Sequence, residues 1–286
     1  MKALRAPVAA AESREVEFEF GATEFERVRV LIHQRAGISL NKGKQAMVYS
    51  RLSRRLRALG QPSFRSYLQW LENARGPAAA SEWEAFINSL TTNLTSFFRE
   101  EHHFPLLAAE LARDRNRPWR IWCNAASTGE EPYSLAMTVI ETLGPRARVE
   151  ILCTDIDTQV LAHGGRGAYP TDARGLSAER RQRHFLRGTG DNAGLMRVKP
   201  ELRQLVDFRA FNLMQPQWSL GAPFDFVFCR NVMIYFDAPT QQAVLGRTHA
   251  AMAPNGLLFA GHSENFSHLL KLYRLRGKTV YERVAS

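Results

Sequence analysis

From residue 118 onward, short apolar runs alternate with helix-like stretches, and this alternation limits the possible folds more than any other feature of the sequence. Such alternation is typical of a parallel sheet covered by helices, an α/β fold. The predicted strands are 120–123, 149–154, 206–211, 224–229 and 256–260. The predicted helices between them are 132–143, 158–163 and 239–252, and 273–284 predicts two antiparallel strands turning near Gly277.

The first hundred residues have a different pattern, which predicts a small all-α domain. Helices are expected at 23–36, 43–59, 63–73 and 81–92. Thr23 and Ser81 each begin a capping-box pattern, and Gly37 should end the first helix. Residues 1–22 lack periodicity and predict a flexible arm. The chain is thereby divided into an arm at 1–22, a helical domain at 23–92, a connecting segment at 93–117 and an α/β domain at 118–286, with a linker at 76–80 inside the helical part.

An insertion is predicted inside the α/β domain. About fifty residues separate the strand ending at Asp155 from the strand before Asn212, whereas a β-α-β crossover needs only about 30. Within this stretch, 177–186 has a helical pattern. Two short segments joined by glycine-rich turns, 187–190 and 194–198, predict small antiparallel strands. We therefore expect an inserted β-subdomain at about 175–204.

The charge is positive and unevenly distributed. The formal net charge is +10, and 27–71 contains ten Lys or Arg residues but no Asp or Glu. On the predicted helix 43–59 the apolar residues form one stripe and the cations lie off it. A solvated helix face is the ordinary interpretation, but the lack of acidic residues favours docking of an acidic partner. The best candidates for that contact are Arg51, Arg54 and Arg55.

Other classes of protein are poorly supported. No apolar run reaches the roughly 18 to 20 residues of a membrane span, and the start of the chain lacks a secretory signal, so a cytoplasmic location is expected. The three cysteines, Cys123, Cys153 and Cys229, lie in apolar runs and should be reduced and buried. No His or Cys spacing typical of a metal site occurs, so no metal is expected.

Polar residues follow the predicted strands at the edge where ligands bind in open α/β sheets. Glu130 follows the first strand at a predicted helix start, where a tight turn is the simpler interpretation. Asp155 ends the second strand, where an acidic residue can accept hydrogen bonds from two ribose hydroxyls, and Asp157 is better placed to cap the next helix. Arg230, Asn231 and Tyr235 follow an apolar strand, which is hard to explain as packing alone.

Several strings in this order resemble the chemotaxis receptor methyltransferase family (CheR). They are TTNLTSFFREEHHFP, ASTGEEPYS, TDIDT, FDFVFCRNVMIYFD and LLFAGHSENF. The combination is specific, and the resemblance covers nearly the whole chain from Phe25. It implies a helical domain followed by a Rossmann-like S-adenosylmethionine domain with a small β-subdomain, as the pattern above predicts.

The resemblance also implies roles for individual residues. Arg99 and Tyr235 would lie near the reacting carboxylate of the substrate. The insertion resembles those of members that bind a C-terminal receptor pentapeptide, with contacts at Arg187, Gly188, Thr189, Gly190 and Arg197. The implied contacts with S-adenosylmethionine are Asn93, Thr95, Arg99, Glu130, Asp155, Asn212, Leu213, Arg230 and Asn231.

The implied reaction is methyl transfer from S-adenosylmethionine to glutamate side chains of chemotaxis receptors, giving methyl esters and S-adenosylhomocysteine. Glutamate, with a reference pKa near 4.3, is ionised at neutral pH, so the attack needs no general base. Arg99 would position the carboxylate and Tyr235 would donate a hydrogen bond to it. Arg51, Arg54 and Arg55 would then face the acidic receptor helices, and a monomer suffices.

Two alternatives remain. A nucleic-acid methyltransferase also combines positive charge with such a sheet, but enzymes that methylate amino groups usually have an Asn/Asp-Pro-Pro-aromatic string where this chain has Arg230, Asn231, Val232 and Met233. Cys229 as the nucleophile of a cytosine methylase is disfavoured by its apolar surroundings. A cofactor-binding module without turnover is the other alternative, and Arg99, Glu130, Asp155 and Tyr235 together argue against it.

Overall fold

A computed structural model describes residues 17–266 and 271–285, which form an all-α region followed by an α/β region. The helices are α1 (Ala22–Ala36), α2 (Gln45–Leu59), α3 (Phe64–Asn73), α4 (Pro77–Leu90), α5 (His103–Ala112), α6 (Glu130–Leu143), α7 (Thr158–Arg166), α8 (Ala178–His184), α9 (Pro200–Arg203) and α10 (Ala238–Ala251). The strands are β1 (Trp119–Cys123), β2 (Val149–Asp155), β3 (Ala168–Pro170), β4 (Phe185–Arg187), β5 (Leu195–Val198), β6 (Val206–Ala210), β7 (Phe224–Cys229), β8 (Met252–Ala260), β9 (Tyr273–Gly277) and β10 (Val280–Arg283). No helix in the described ranges is long and apolar enough to cross a membrane.

The helical region matches the predicted pattern except at two helix starts. Gly37 ends α1 in the left-handed conformation (φ 72°), as expected. The N-cap of α1 is Gly21 rather than Thr23, and the backbone N–H of Gly21 donates to the Glu24 carboxylate (3.0 Å). The fourth helix begins at Pro77, so the predicted linker at 76–80 and the predicted cap at Ser81 are wrong. Proline suits the first turn of a helix, because that position needs no backbone donor.

The end of the predicted arm is packed against the helical domain. Phe18 and Phe20 lie beside Phe64 of α3, with ring centroids 6.2 and 4.3 Å from its ring. Glu17 forms an ion pair with Arg57 (2.9 Å). Aromatic burial of this kind orders a chain segment that lacks its own secondary structure. The rest of the predicted arm, 1–16, lies outside the described residues.

The described part of the α/β region is built on a seven-stranded sheet with the order β6-β2-β1-β7-β8-β10-β9. The first five strands in that order are parallel, and β10 is antiparallel to both of its neighbours. Apolar runs such as that of β7 are buried because helices cover both faces of a parallel sheet. The α/β fold with an antiparallel end is thus confirmed, and Cys123, Cys153 and Cys229 are buried and free.

The inserted β-subdomain is confirmed as a three-stranded antiparallel sheet with the order β3-β5-β4. Leu186 of β4 pairs with Arg197 of β5, but β4 begins inside the predicted helix 177–186 and shares only Arg187 with the predicted strand 187–190. A third strand, β3, precedes the predicted insertion and was missed because it spans only Ala168–Pro170. The subdomain therefore begins before residue 175.

A partly buried ion cluster joins the subdomain to α6. Glu141 accepts hydrogen bonds from Arg180 (3.0 and 2.8 Å) and pairs with the ring of His184 (3.0 Å), which is 2% exposed. Burial alone would raise the pKa of Glu141, but its hydrogen bonds with His184 and Arg180 outweigh burial and lower the pKa to about 2. The charged form of Glu141 therefore stabilises the folded state.

We expect this contribution to disappear in acid. A carboxylate with a lowered folded-state pKa stabilises the protein above its unfolded pKa, so the effect should fade from about pH 5 to about pH 2. Across that window the wild type should lose about 1 to 2 kcal/mol of unfolding free energy relative to Glu141→Gln, a value reduced for solvent screening. Urea unfolding at pH 7, 5, 4 and 3 measures the difference. Parallel pH dependence of the two proteins would contradict the assignment.

Candidate active site

A cavity of about 500 Å³ lies at the carboxyl ends of β1, β2 and β7, the edge at which ligands bind in such sheets. Its other wall comes from the helical domain, through the segment after α1 and the segment after α4. The residues predicted for the site that line it are Asn93, Thr95, Arg99, Asp155, Asn212, Leu213, Arg230, Asn231 and Tyr235. The structure thus brings together predicted site residues from four separate parts of the chain.

Of the two aspartates after β2, Asp157 caps the next helix as predicted, and the ribose contact of Asp155 stays a prediction. Asp155 ends the strand, and its carboxylate accepts hydrogen bonds from the backbone N–H groups of Ser127 (2.9 Å) and Asp157 (3.0 Å). Burial raises the pKa of Asp155, and these backbone donors counteract the rise. Asp157 caps α7 by accepting from the N–H groups of Gln159 and Val160 (3.0 and 3.2 Å). Asp155 therefore remains the side chain that faces the cavity.

The segment after α4 is tied to the same sheet edge through Asp157. The second carboxylate oxygen of Asp157 accepts hydrogen bonds from the Thr91 hydroxyl (2.6 Å) and from the Asn93 amide (2.8 Å). The Ser127 hydroxyl donates to the Asn93 carbonyl oxygen (3.0 Å). These bonds hold Asn93 over the end of β2, on the wall of the cavity.

Arg230 is buried in the angle between β7, α6 and the connecting segment. It is 4% exposed, and its guanidinium donates to Glu131 (2.5 Å) and to the Arg99 carbonyl oxygen. Glu100 lies 3.5 Å from the same guanidinium. Burial tends to raise the pKa of Glu100, but the positive charge of Arg230 helps to lower it. The two carboxylates compensate the charge of this buried cation.

The two glutamates at the start of α6 differ in their surroundings. Its carboxylate accepts a hydrogen bond from the Thr128 hydroxyl (2.6 Å) and does not line the cavity, whereas the adjacent Glu131 does. Successive residues at a helix start point in directions about 100° apart, which accounts for the different surroundings of Glu130 and Glu131. A contact between Glu130 and the cofactor stays a prediction.

Arg99 and Tyr235 both line the cavity near its opening. The Arg99 guanidinium donates to the Leu94 carbonyl oxygen (3.0 Å), and the Tyr235 hydroxyl makes a long hydrogen bond to the Thr92 carbonyl oxygen (3.4 Å). Burial raises the pKa of Tyr235, while the positive charge of Arg99 counteracts the rise. The net pKa is raised, so the hydroxyl stays protonated at neutral pH and can donate a hydrogen bond.

Four residues that face or support the site were missed by sequence reasoning. Asn124 lines the cavity, and its buried amide has no hydrogen-bond partner among the described residues. Glu100, Glu131 and Glu264 bind the residues that line the cavity. Glu100, Glu131 and Glu264 lie within the strings that carried the resemblance, which is the signal that could have identified them.

The cations predicted for docking differ in their surroundings. Arg55 pairs with Glu82, which is 4% exposed, and Arg51 donates to the Thr91 carbonyl oxygen (2.6 Å). Arg54 is exposed and has no partner in the described ranges. The expectation of ten uncompensated cations is wrong, because acidic residues flanking 27–71 fold back onto it. The pairs are Arg27 with Glu72, Arg29 with Glu26, Arg55 with Glu82 and Arg57 with Glu17.

Comparison with known proteins agrees with this geometry. The profile of the CheR methyltransferase SAM binding domain matches residues 93–281, and that of the CheR methyltransferase all-alpha domain matches residues 23–91. The chain is 54% identical over 259 residues to a chemotaxis protein methyltransferase of Escherichia coli, covering 90% of this chain and 89% of that protein. It is 52% identical over 270 residues to chemotaxis protein methyltransferase 2 of Pseudomonas aeruginosa, covering 93% and 94% of the two chains.

The fold and the site define an S-adenosylmethionine-dependent methyltransferase with an all-α domain at its N-terminus. The chain belongs to the CheR methyltransferase family.

The residues present fit the cofactor of this family. The cavity has the size usual for a small-molecule site, Asp155 can accept from ribose hydroxyls, and the unpartnered Asn124 amide offers a further donor and acceptor. The Glu131 carboxylate also lines the cavity and could lie near the cationic part of the cofactor. Among residues 17–266 and 271–285, no group of three or more His, Cys, Asp or Glu side chains could hold a metal ion.

We expect Asp155→Asn to weaken binding of S-adenosylhomocysteine by about 10- to 100-fold, because a charged acceptor of two hydrogen bonds is lost. Isothermal titration calorimetry measures this affinity. Asp207→Asn is the matched control, since Asp207 lies on neighbouring β6, pairs with Arg209 and is outside the cavity lining. Equal affinities of wild type and Asp155→Asn would contradict a ribose contact at Asp155.

Proposed function

We propose that the chain transfers the methyl group of S-adenosylmethionine to glutamate side chains on the cytoplasmic helices of chemotaxis receptors. The main support is that Arg99 and Tyr235, a cation and a neutral donor, line the same cavity as Asp155 and Asn231. A carboxylate held by the first pair would lie beside a cofactor held by the second. The names of the related proteins, chemotaxis protein methyltransferases, agree with this substrate class.

The chemistry requires positioning more than acid-base catalysis. Bound S-adenosylmethionine supplies a methyl group on a sulfonium, a good leaving group. A carboxylate oxygen forms the new C–O bond as the C–S bond breaks, which gives a methyl ester and S-adenosylhomocysteine. The glutamate is already ionised, so the site must align it, hold it and exclude water.

Arg99 and Tyr235 suit this task because neither is committed to a strong internal partner. Arg99 bonds a backbone carbonyl, and Tyr235 bonds Thr92 at 3.4 Å, at the long end for a hydrogen bond. A carboxylate is a stronger acceptor than a backbone carbonyl, so a bound glutamate would take both donors. One cation with one neutral donor holds the carboxylate without suppressing its nucleophilicity.

We expect Arg99→Ala to lower kcat/KM for methyl transfer by about 10²- to 10³-fold, since it removes a preorganised charge next to the reacting group. Tyr235→Phe, which removes one neutral donor, should cost about 10-fold. The measurement is transfer of tritiated methyl from S-adenosylmethionine to a purified receptor cytoplasmic fragment, with label counted before and after base treatment.

Several outcomes separate this function from its alternatives. Base-labile label on the receptor supports a glutamyl ester. Label on an RNA pool incubated in parallel would instead indicate a nucleic-acid methyltransferase. Binding of S-adenosylhomocysteine without label on several receptors would favour a module without turnover.

We propose that the exposed cations of α2 and of the turn before it contact the acidic receptor helices. Lys42, Lys44 and Arg54 have no carboxylate partner among the described residues, and Lys44 also lines the cavity. A positive strip leading to the cavity opening would guide an acidic helix by long-range attraction. Arg51 lies beside this strip, whereas Arg55 is occupied by Glu82.

The two arginines should therefore respond differently. Arg54→Glu should raise the KM for the receptor in a salt-dependent way and leave stability unchanged, because its side chain is exposed. Arg55→Ala should lower the unfolding free energy by about 3 kcal/mol, because it leaves the buried Glu82 without its cation. Steady-state kinetics at 20 and 200 mM salt measures the effect of Arg54→Glu on KM. Urea unfolding measures the stability of both variants. A KM for Arg54→Glu equal to that of the wild type at both salt concentrations would exclude Arg54 from docking.

We further propose that the β-subdomain binds a receptor C-terminal pentapeptide along β4, which is an edge strand. An extended peptide can add to such an edge through main-chain hydrogen bonds. Arg187 and Arg197 are exposed cations beside it, near the turn containing Gly188, Thr189 and Gly190. We also propose a cytoplasmic location, because the proposed receptor helices lie there, and a monomer, because residues of one chain line the cavity.

A further inference from the structure

Glu264 lies behind the turn that carries Asn231 and leads to Tyr235. Its side chain is buried, with the residue 4% exposed, and its carboxylate accepts four backbone hydrogen bonds. One oxygen accepts from Val232 (2.9 Å) and Met233 (2.8 Å), and the other accepts from Asn231 (2.9 Å) and Gly261 (2.6 Å). One side chain thus binds two separate loops at the edge of the sheet.

The backbone conformation of the turn at 231–233 explains why a hydrogen-bond acceptor is needed here. Asn231 has φ 57°, in the left-handed region that asparagine tolerates better than most residues. The three successive N–H groups of 231–233 then converge on one point, an arrangement that binds anions. A buried turn of this kind needs a partner for each donor, and the Glu264 carboxylate supplies it.

Functional side chains depend directly on this turn. Asn231 lines the cavity, and Met233–Tyr235 is a short 3-10 helix that follows at once and ends at Tyr235. The carbonyl oxygen of Met233 accepts from Gln241 (2.9 Å), so the helix is held from its other side as well. A shift of the turn would therefore move both Asn231, a proposed cofactor contact, and the hydroxyl of Tyr235.

We infer that Glu264 is a positioning residue, whose carboxylate fixes the 231–233 turn so that Asn231 and Tyr235 face the cavity in their working orientations. This inference rests on the proposed function for the role of Tyr235. It extends to Gly261, since a Cβ there would lie 2.5 Å from the Asn231 amide nitrogen and 2.8 Å from the Glu264 carboxylate. Only glycine leaves room for the contact between the two loops.

The principal test is Glu264→Gln, which keeps the shape but replaces one acceptor oxygen with a donor that faces N–H groups. We expect kcat to fall by about 10- to 100-fold through misplacement of reacting groups. The Kd for S-adenosylhomocysteine should rise by about 10-fold, because the Asn231 contact is disturbed. The KM for the receptor fragment should change less than about 3-fold, because docking relies on distant surface charges.

A spectroscopic readout separates positioning from general destabilisation. Hydrogen bonds to a charged acceptor are shorter and stronger, so the amide protons of Val232 and Met233 should move upfield in Glu264→Gln. Gly261→Ala, which retains the carboxylate, should reproduce the kcat and affinity losses. Glu282→Gln is the control, because Glu282 is also buried in the α/β domain but pairs with Arg274 and Arg276 away from the cavity.

Assays are run below the unfolding temperature of every variant. If Glu264→Gln and Glu282→Gln lose kcat equally, or if Glu264→Gln leaves the Kd and the two amide shifts unchanged, the positioning role is wrong. Failure of the wild type to methylate any receptor would instead overturn the proposed function, and the Kd and amide shifts would still report on Glu264.

Discussion

The buried guanidinium of Arg230 is the contact on which the site depends. It follows β7, binds Glu131 at the start of α6, and binds the backbone of Arg99 in the connecting segment. An arginine that is 4% exposed needs carboxylates to compensate its charge, and only the Nε of Arg230 is left without a hydrogen-bond partner among the described residues. Glu131 and Glu100 provide the charge, so three distant parts of the chain must come together for the buried cation to be stable. The same contacts set the wall on which Arg99 lies.

The helical domain completes the cavity rather than standing apart from it. The backbone N–H of Ser39 donates to the Tyr235 carbonyl oxygen (2.7 Å), and Ile38 forms a β-bridge with Phe236. The ring of His33 pairs with Asp237 (2.9 Å). Together with the bonds of Thr91 and Asn93 to Asp157, these contacts cover the open edge of the sheet. A deep site for a small cofactor is thereby formed where the sheet alone would offer only a shallow edge.

Several cations of the basic segment 27–71 pair with acidic residues that lie outside that segment. The segment 27–71 is free of acidic residues, yet four of its cations pair with carboxylates that lie outside it. Arg55 is the clearest case, since the buried Glu82 also accepts from the Tyr67 hydroxyl (2.8 Å). The cations of this segment that have no carboxylate partner in the described ranges are therefore fewer than the composition suggests. A basic stretch in a sequence is therefore a weak guide to which residues dock a partner.

The sequence by itself determined the α/β class, every strand of the main sheet, the inserted subdomain and the capping role of Asp157. Those features depend on local patterns, namely apolar runs, helix caps and glycine turns, which neighbouring residues specify. Tertiary structure decided that Glu131 rather than Glu130 faces the cavity, that Arg55 is occupied by Glu82, and that Glu264 supports the turn after β7. Side-chain direction and pairing between residues far apart in the chain depend on how the elements pack, and no local pattern encodes that packing.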